Sequence, residues 1–175
     1  MAAQIELYLV RHAVAADRGP KYPDDRLRPL TPDRQTFSAG VATWEATETP
    51  TELLQRADIV IESARPRALE QMGIQAADML RAGAGNVWLS ITGYGRATPM
   101  RDWVAYGDDA GVAAGLSWLL REASGYTAFC GDAIADPLTG LHAALLAWTA
   151  WTQGGGVLLD VSLYGVVARC IAAGS

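Results

Sequence analysis

Four short apolar runs limit what this chain can become: IELYLV at 5–10, DIVIE at 58–62, VWLSIT at 87–92 and VLLDVSL at 157–163. Short, nearly continuous apolar runs suit strands buried on both faces. Helical patterns separate them. Thr51 can cap a short helix through Ala57, and Pro66 opens a longer one from about Arg67 to Arg81, stopped by Gly83 and Gly85. Further helices are expected over 110–120, 141–152 and 165–173. Strands that alternate with helices predict an α/β fold, an open, mostly parallel sheet with helices on both faces. Such sheets take ligands beyond the carboxyl ends of their strands. Here those exits are Arg11-His12, the stretch 62–65, Gly93 to Gly95, and Leu163-Tyr164.

Half of the 175 residues are hydrophobic and 19% are charged, which supplies a core and excludes a disordered chain. The length suits one domain, or one domain with an appendage. A net charge of −5 argues against nucleic acid and against a polybasic membrane patch as partners. The first residues lack signal-peptide form, and the most apolar stretch, 141–151, is too short to span a bilayer. Cys130 and Cys170 have no metal-ligand spacing, so no metal is expected and a reduced, cytoplasmic setting is the default. No G-x-G-x-x-G or P-loop string is present.

The most informative stretch runs from Cys130 to Ala144, CGDAIADPLTGLHAA. Asp136 precedes Pro137 at the start of the longest apolar helix signal. Asp before Pro reads as an N-cap, and the same geometry leaves an exposed carboxylate that the helix N-terminus keeps ionised. The first reading is structural and the second functional. Asp132 reads as a turn residue, Asp108-Asp109 as caps of the following helix, and Arg96 and Arg101 as solvated loop residues. His142, one turn into the apolar helix, has a core or cap-adjacent role ahead of a catalytic one. That helix, apolar nearly all round, is expected to be buried, with Trp148 and Trp151 as core or interface. Gly154 to Gly156 read as the turn into the last strand.

Five strings extend this reading: ADIVIESARPRALEQMG, VWLSITGYGR, AYGDDAGVAAGL, GDAIADPLTGLHAALLAW and GGGVLLDVSLYGVVA. In their order and spacing, residues from about 56 to 175 resemble the family III CoA-transferases, the formyl-CoA and carnitine CoA-transferase group. The resemblance implies a Rossmann-like domain that moves CoA between carboxylic acids. Asp136 would be the nucleophile, passing through an aspartyl-CoA thioester. Arg65 would lie near the CoA phosphates or adenine, and Tyr94 and Tyr106 would line the pocket. Gly131, Gly140 and the helix N-terminus would be sources of oxyanion donors, and Arg96 and Arg101 a secondary choice for CoA phosphate. A racemase variant of the family uses a His where this chain has Tyr106, which lowers that reading. Coenzyme A enters as substrate and carrier. The implied partners are acyl-CoA and carboxylic acid substrates, with a homodimer or a complementary domain supplying what this chain lacks; relative to the family it reads as truncated.

Residues 5–34 carry a second resemblance. The strings LYLVRHA and LRPLTP are similar to the start of a phosphohistidine phosphatase of the histidine phosphatase superfamily. It implies His12 as a phosphorylated nucleophile and Arg11 as its phosphate holder. Arg67 is at a tolerable spacing for the second Arg of that family, but VWLSIT exits into Gly93-Tyr94-Gly95 with no second His. The expected organisation is therefore a phosphatase-like segment over 1–36 and a partial family III large domain over 37–175. Alternatives to the transferase are a His12 phosphatase and a non-catalytic remnant that binds CoA or only folds. A first strand lying in the same sheet as Val87 to Thr92 would mean the two parts are structurally integrated.

Overall fold

The structure, a computed structural model, describes residues 7–10, 38–39, 42–43, 50–82 and 86–174. In chain order it begins with β1 (Leu7–Val10), the short pair β2 (Ser38–Ala39) and β3 (Ala42–Thr43), and helix α1 (Pro50–Arg56). Then come β4 (Ile59–Glu62), α2 (Pro66–Gln71), α3 (Ala76–Ala82) and β5 (Val87–Thr92). Helices α4 (Gly107–Ala113), α5 (Leu116–Ser124) and α6 (Ala135–Thr152) lead to β6 (Val157–Ser162) and α7 (Leu163–Gly174).

One parallel sheet runs in the order β1-β4-β5-β6. The first strand pairs with β4, Leu7 opposite Ile59 through Val10 opposite Glu62, so it shares a sheet with β5. Successive side chains point to opposite faces. Val60, Trp88 and Leu158 face α1, α2 and α3, where Leu54, Leu69 and Met79 complete a core. Ile59, Val87, Leu89 and Val161 face α6 and α7, packing on Ala143, Ala147 and Val166. Helices thus cover both faces, and the strands read as unbroken apolar runs for that reason.

Three expectations need correcting. The helix expected over 67–81 is two helices, broken after Gln71, where Gly73 takes φ +75. The one expected over 110–120 is likewise divided, with Gly115 at φ +97 between α4 and α5. A left-handed residue ends a helix, and glycine adopts that conformation without steric cost. The apolar helix expected over 141–152 starts at Ala135 and is buried on one stripe only: Ala135, Thr139, Ala143 and Ala147. These small residues, four apart, let α6 lie close to the sheet. Leu141, Leu145 and Trp148 face outward, at 71%, 65% and 54% exposure. Among the described residues no helix is long and apolar enough to cross a membrane.

Candidate functional site

Helix α6 begins over the carboxyl end of the sheet. Ala135 packs with Ala110 of α4, with Leu163 and Val167 of α7, and with Ile91 near the end of β5. Asp136 is therefore delivered to the edge where open parallel sheets bind ligands. It is not the N-cap. Ile134 holds that position with helical dihedrals, φ −55 and ψ −28, and Asp136 is the second residue of the helix. Its N–H donates to the Ala133 carbonyl at 2.9 Å, and its carboxylate side is exposed.

The turn before α6 is held from α4. Ala133 sits at φ +47, a left-handed conformation costly for a residue with a Cβ. Its N–H donates to Asp108 Oδ1 at 2.9 Å, which satisfies a donor that the turn leaves unpaired. Gly107 permits the approach: a Cβ there would stand 2.4 Å from the Ala133 carbonyl oxygen. Asp109 has a different task. Its Oδ1 accepts the Tyr106 N–H at 2.5 Å across the start of α4. Only Asp109 caps α4, and Asp108 reaches across to the turn.

Both carboxylates act on Asp136. Partial loss of water around the Asp136 carboxyl, then the charges of Asp108 and Asp109, push it above its ordinary value. The direction of this shift is opposite to the one a helix N-terminus alone would give. Among the described residues no group of His, Cys, Asp or Glu converges as a metal site.

Tyr94 leaves the end of β5 and packs edge-on against Trp103, with centroids 5.8 Å apart, and tilted against Tyr164 at 6.0 Å. Burial, then the charge of Asp109, raises its phenol above the ordinary value. Tyr106 is 74% exposed beside the same Asp109. Asp109 is thus common to all three: its charge acts on Tyr94 and Asp136, and its side chain accepts the Tyr106 N–H. Arg65 is elsewhere: it precedes α2, in extended conformation with Pro66 at the first helical position, on the opposite face of the sheet from α6. Of the expected oxyanion donors, Gly140 lies inside α6, where its N–H belongs to the helix ladder. Gly131 stays in the turn ahead of the helix, at φ +69. His142 is the eighth residue of α6, and its Nδ1 contacts the Leu138 carbonyl oxygen one turn back at 2.8 Å. Arg11 and His12 lie outside the described residues.

Arg96 was expected in solvent and is not there. Its Nη1 donates to Glu62 Oε1 at 3.1 Å and to Ser90 Oγ at 2.9 Å, and its backbone N–H donates to Asp160 Oδ2 at 2.8 Å. Glu62 and Ser90 are fully buried. Burial pushes the Glu62 carboxyl up; the Ser90 hydroxyl, the Arg96 charge and the Ala64 N–H oppose it, and the Trp88 indole adds a weak pull from outside hydrogen-bonding geometry. Arg96 also borders a groove of about 220 Å³ between α2, α3 and the sheet, walled by Pro66, Leu69, Ile74 and Leu158; Asp136 is not among its walls.

The family model for CoA-transferase family III matches residues 38–174. The beta subunit of succinyl-CoA–L-malate CoA-transferase from Chloroflexus aurantiacus is 32% identical over 124 residues, covering 68% of this chain and 31% of that protein. The succinyl-CoA:glutarate CoA-transferase of Mus musculus is 29% identical over 124 residues, covering 69% and 28%. A CAIB/BAIF family protein from Brucella suis superposes with a TM-score of 0.61 at 24% identity, over 70% of this chain and 34% of that one, a likeness of fold alone. The chain spans about a third of the length of the curated relatives it matches. None of these matches supports the histidine phosphatase resemblance of residues 5–34. The strings around β4, β5, α4, α6 and β6 thus have one common source, and the chain belongs to CoA-transferase family III.

Proposed function

We propose that this chain carries the nucleophile of a CoA-transferase, Asp136, and moves CoA between carboxylic acids. One observation carries the reading: Asp136 stands exposed on the first turn of α6, at the carboxyl edge of a parallel sheet, near the two carboxylates that raise its pKa. A carboxyl raised in this way is a more basic oxygen. Its oxygen attacks the thioester carbonyl carbon, the C–S bond breaks, and CoA thiolate leaves a mixed anhydride. The thiolate then attacks the Asp136 carbonyl carbon and releases the first acid as its carboxylate. An incoming carboxylate attacks the resulting aspartyl thioester. Thiolate leaves again, attacks the new acyl carbon of the anhydride, and Asp136 is regenerated.

Arg65, beyond β4, is the choice for the CoA phosphates or adenine, and Tyr94 and Tyr106 for the pocket wall. Residues 37–175 would supply part of the CoA-binding domain, with a second copy or a complementary domain supplying the rest. The relatives' names make succinyl-CoA the first donor to try, with malate or glutarate as acceptor. The chain is incubated with succinyl-CoA and hydroxylamine, and its peptides are weighed. A hydroxamate on Asp136, absent in Asp136→Asn, is the expected result. CoA binding by calorimetry without any hydroxamate would leave a binding module and refute the transferase.

A further inference from the structure

Strands β4, β5 and β6 each carry a polar residue on one face, and register sets the three in a row. Glu62 lies opposite Ser90, and Ser90 opposite Asp160, on the face covered by α2 and α3. Arg96 folds back over this row from the loop that follows β5. Any cation could neutralise Glu62. Here the loop itself supplies it, so the loop cannot move without pulling a guanidinium off a fully buried carboxylate. Two successive amides are also tied, Gly95 to Thr92 Oγ1 at 2.8 Å and Arg96 to Asp160. On the other side the Gly93 carbonyl accepts the Tyr164 N–H at 3.0 Å, and a Cβ on Gly93 would lie 2.5 Å from the Ala105 Cβ. Between these fixed points stands Tyr94.

We infer that Arg96 is a positioning residue: held by Glu62, Ser90 and Asp160, it fixes the 93–96 loop so that Tyr94 is presented to the acidic cluster beside Asp136. The inference rests on the reading of Asp136 as the reacting group. Arg96→Lys tests it, because lysine keeps a cation for Glu62 but loses the planar fork. Amide exchange on the full chain should be faster at Gly95 and Arg96 by about tenfold or more, with the β5 amides unchanged. The maximal rate of hydroxamate formation at Asp136 should fall by a similar factor, with the half-saturating acyl-CoA concentration unmoved. Asp160→Asn, at an exposed residue, should speed exchange at Arg96 without disturbing the core. Loop exchange that stays slow, or that rises equally throughout the chain, overturns the inference, as does a loosened loop with an unaltered hydroxamate rate. A wild-type chain that forms no hydroxamate sinks the assignment of Asp136 instead, and the exchange pattern together with Trp103 fluorescence still decides whether Arg96 holds Tyr94.

Discussion

Arg96→Met is the substitution whose cost the structure specifies most closely. Methionine replaces much of the aliphatic stem and removes the cation 3.1 Å from Glu62. The carboxylate left behind is fully buried, with the Ala64 N–H at 2.9 Å as its remaining backbone donor. Breaking a buried ion pair from one side costs about 3–5 kcal/mol, or roughly 6–20 °C in melting temperature for a chain of this size. The penalty comes from the orphaned charge, so neutralising it should recover most of the loss. Glu62→Gln in the Arg96→Met background should return to within about 1.5 kcal/mol of the parent. Acid should do the same. Glu62 is already raised above its unfolded value of 4.5 by burial, and losing Arg96 raises it further. A carboxyl raised in the folded state contributes stability that is present below the unfolded value and is lost as pH rises through the folded one. Arg96→Met should therefore approach the parent on going from about pH 7 to about pH 5. Urea unfolding followed through Trp88, buried in β5, measures each case. A double variant as unstable as the single one, or a deficit that ignores pH, would refute the account of a buried charge.

Asp109→Asn keeps an oxygen for the Tyr106 N–H while removing one of the charges that raise Asp136. Because the ionised form of Asp136 is the nucleophile, the rising limb of hydroxamate formation should move to lower pH, read from a pH–rate profile. Gly107→Ala drives a methyl into the Ala133 carbonyl oxygen, so the turn before α6 must shift; a loss of about 1–3 kcal/mol in thermal or urea unfolding is expected. Leu145→Gln, on the outer face of α6, should change stability by no more than about 0.5 kcal/mol, where a buried helix would lose several times that.

The sheet was legible because strands covered on both faces leave unbroken apolar runs, and β4, β5 and β6 fall within a residue of where those runs lie. The helix breaks were not. A lone glycine such as Gly73 or Gly115 sits in a helical pattern at modest cost, and only a left-handed φ distinguishes a break from a tolerated residue. The face of α6 was illegible for a related reason. A helix apolar all round offers no contrast, and the contact went to the small residues because they allow the closest approach. Asp136 stood out from its place beside Pro137, but its reading as a cap fails, since the helix starts two residues earlier than a cap at 136 requires.

Arg96 was missed although its partner was in view. Glu62 ends the run DIVIE, and a carboxylate at the end of a strand buried on both faces calls for a cation, because water cannot reach it. Ser90 in VWLSIT is equally buried, and Asp160 in VLLDVSL, though exposed, lies level with it. Each run has a polar residue on this face near its carboxyl end, and parallel strands in register bring Glu62, Ser90 and Asp160 level. What the runs do not contain is the sequence offset of the answering cation: Arg96 follows Glu62 by 34 residues and Ser90 by only 6. A polar residue recurring near the end of successive buried strands should therefore be read as half of a pair. The loop after the last of them to carry an arginine is where the other half is found, and here that loop also carries Tyr94 to the candidate site.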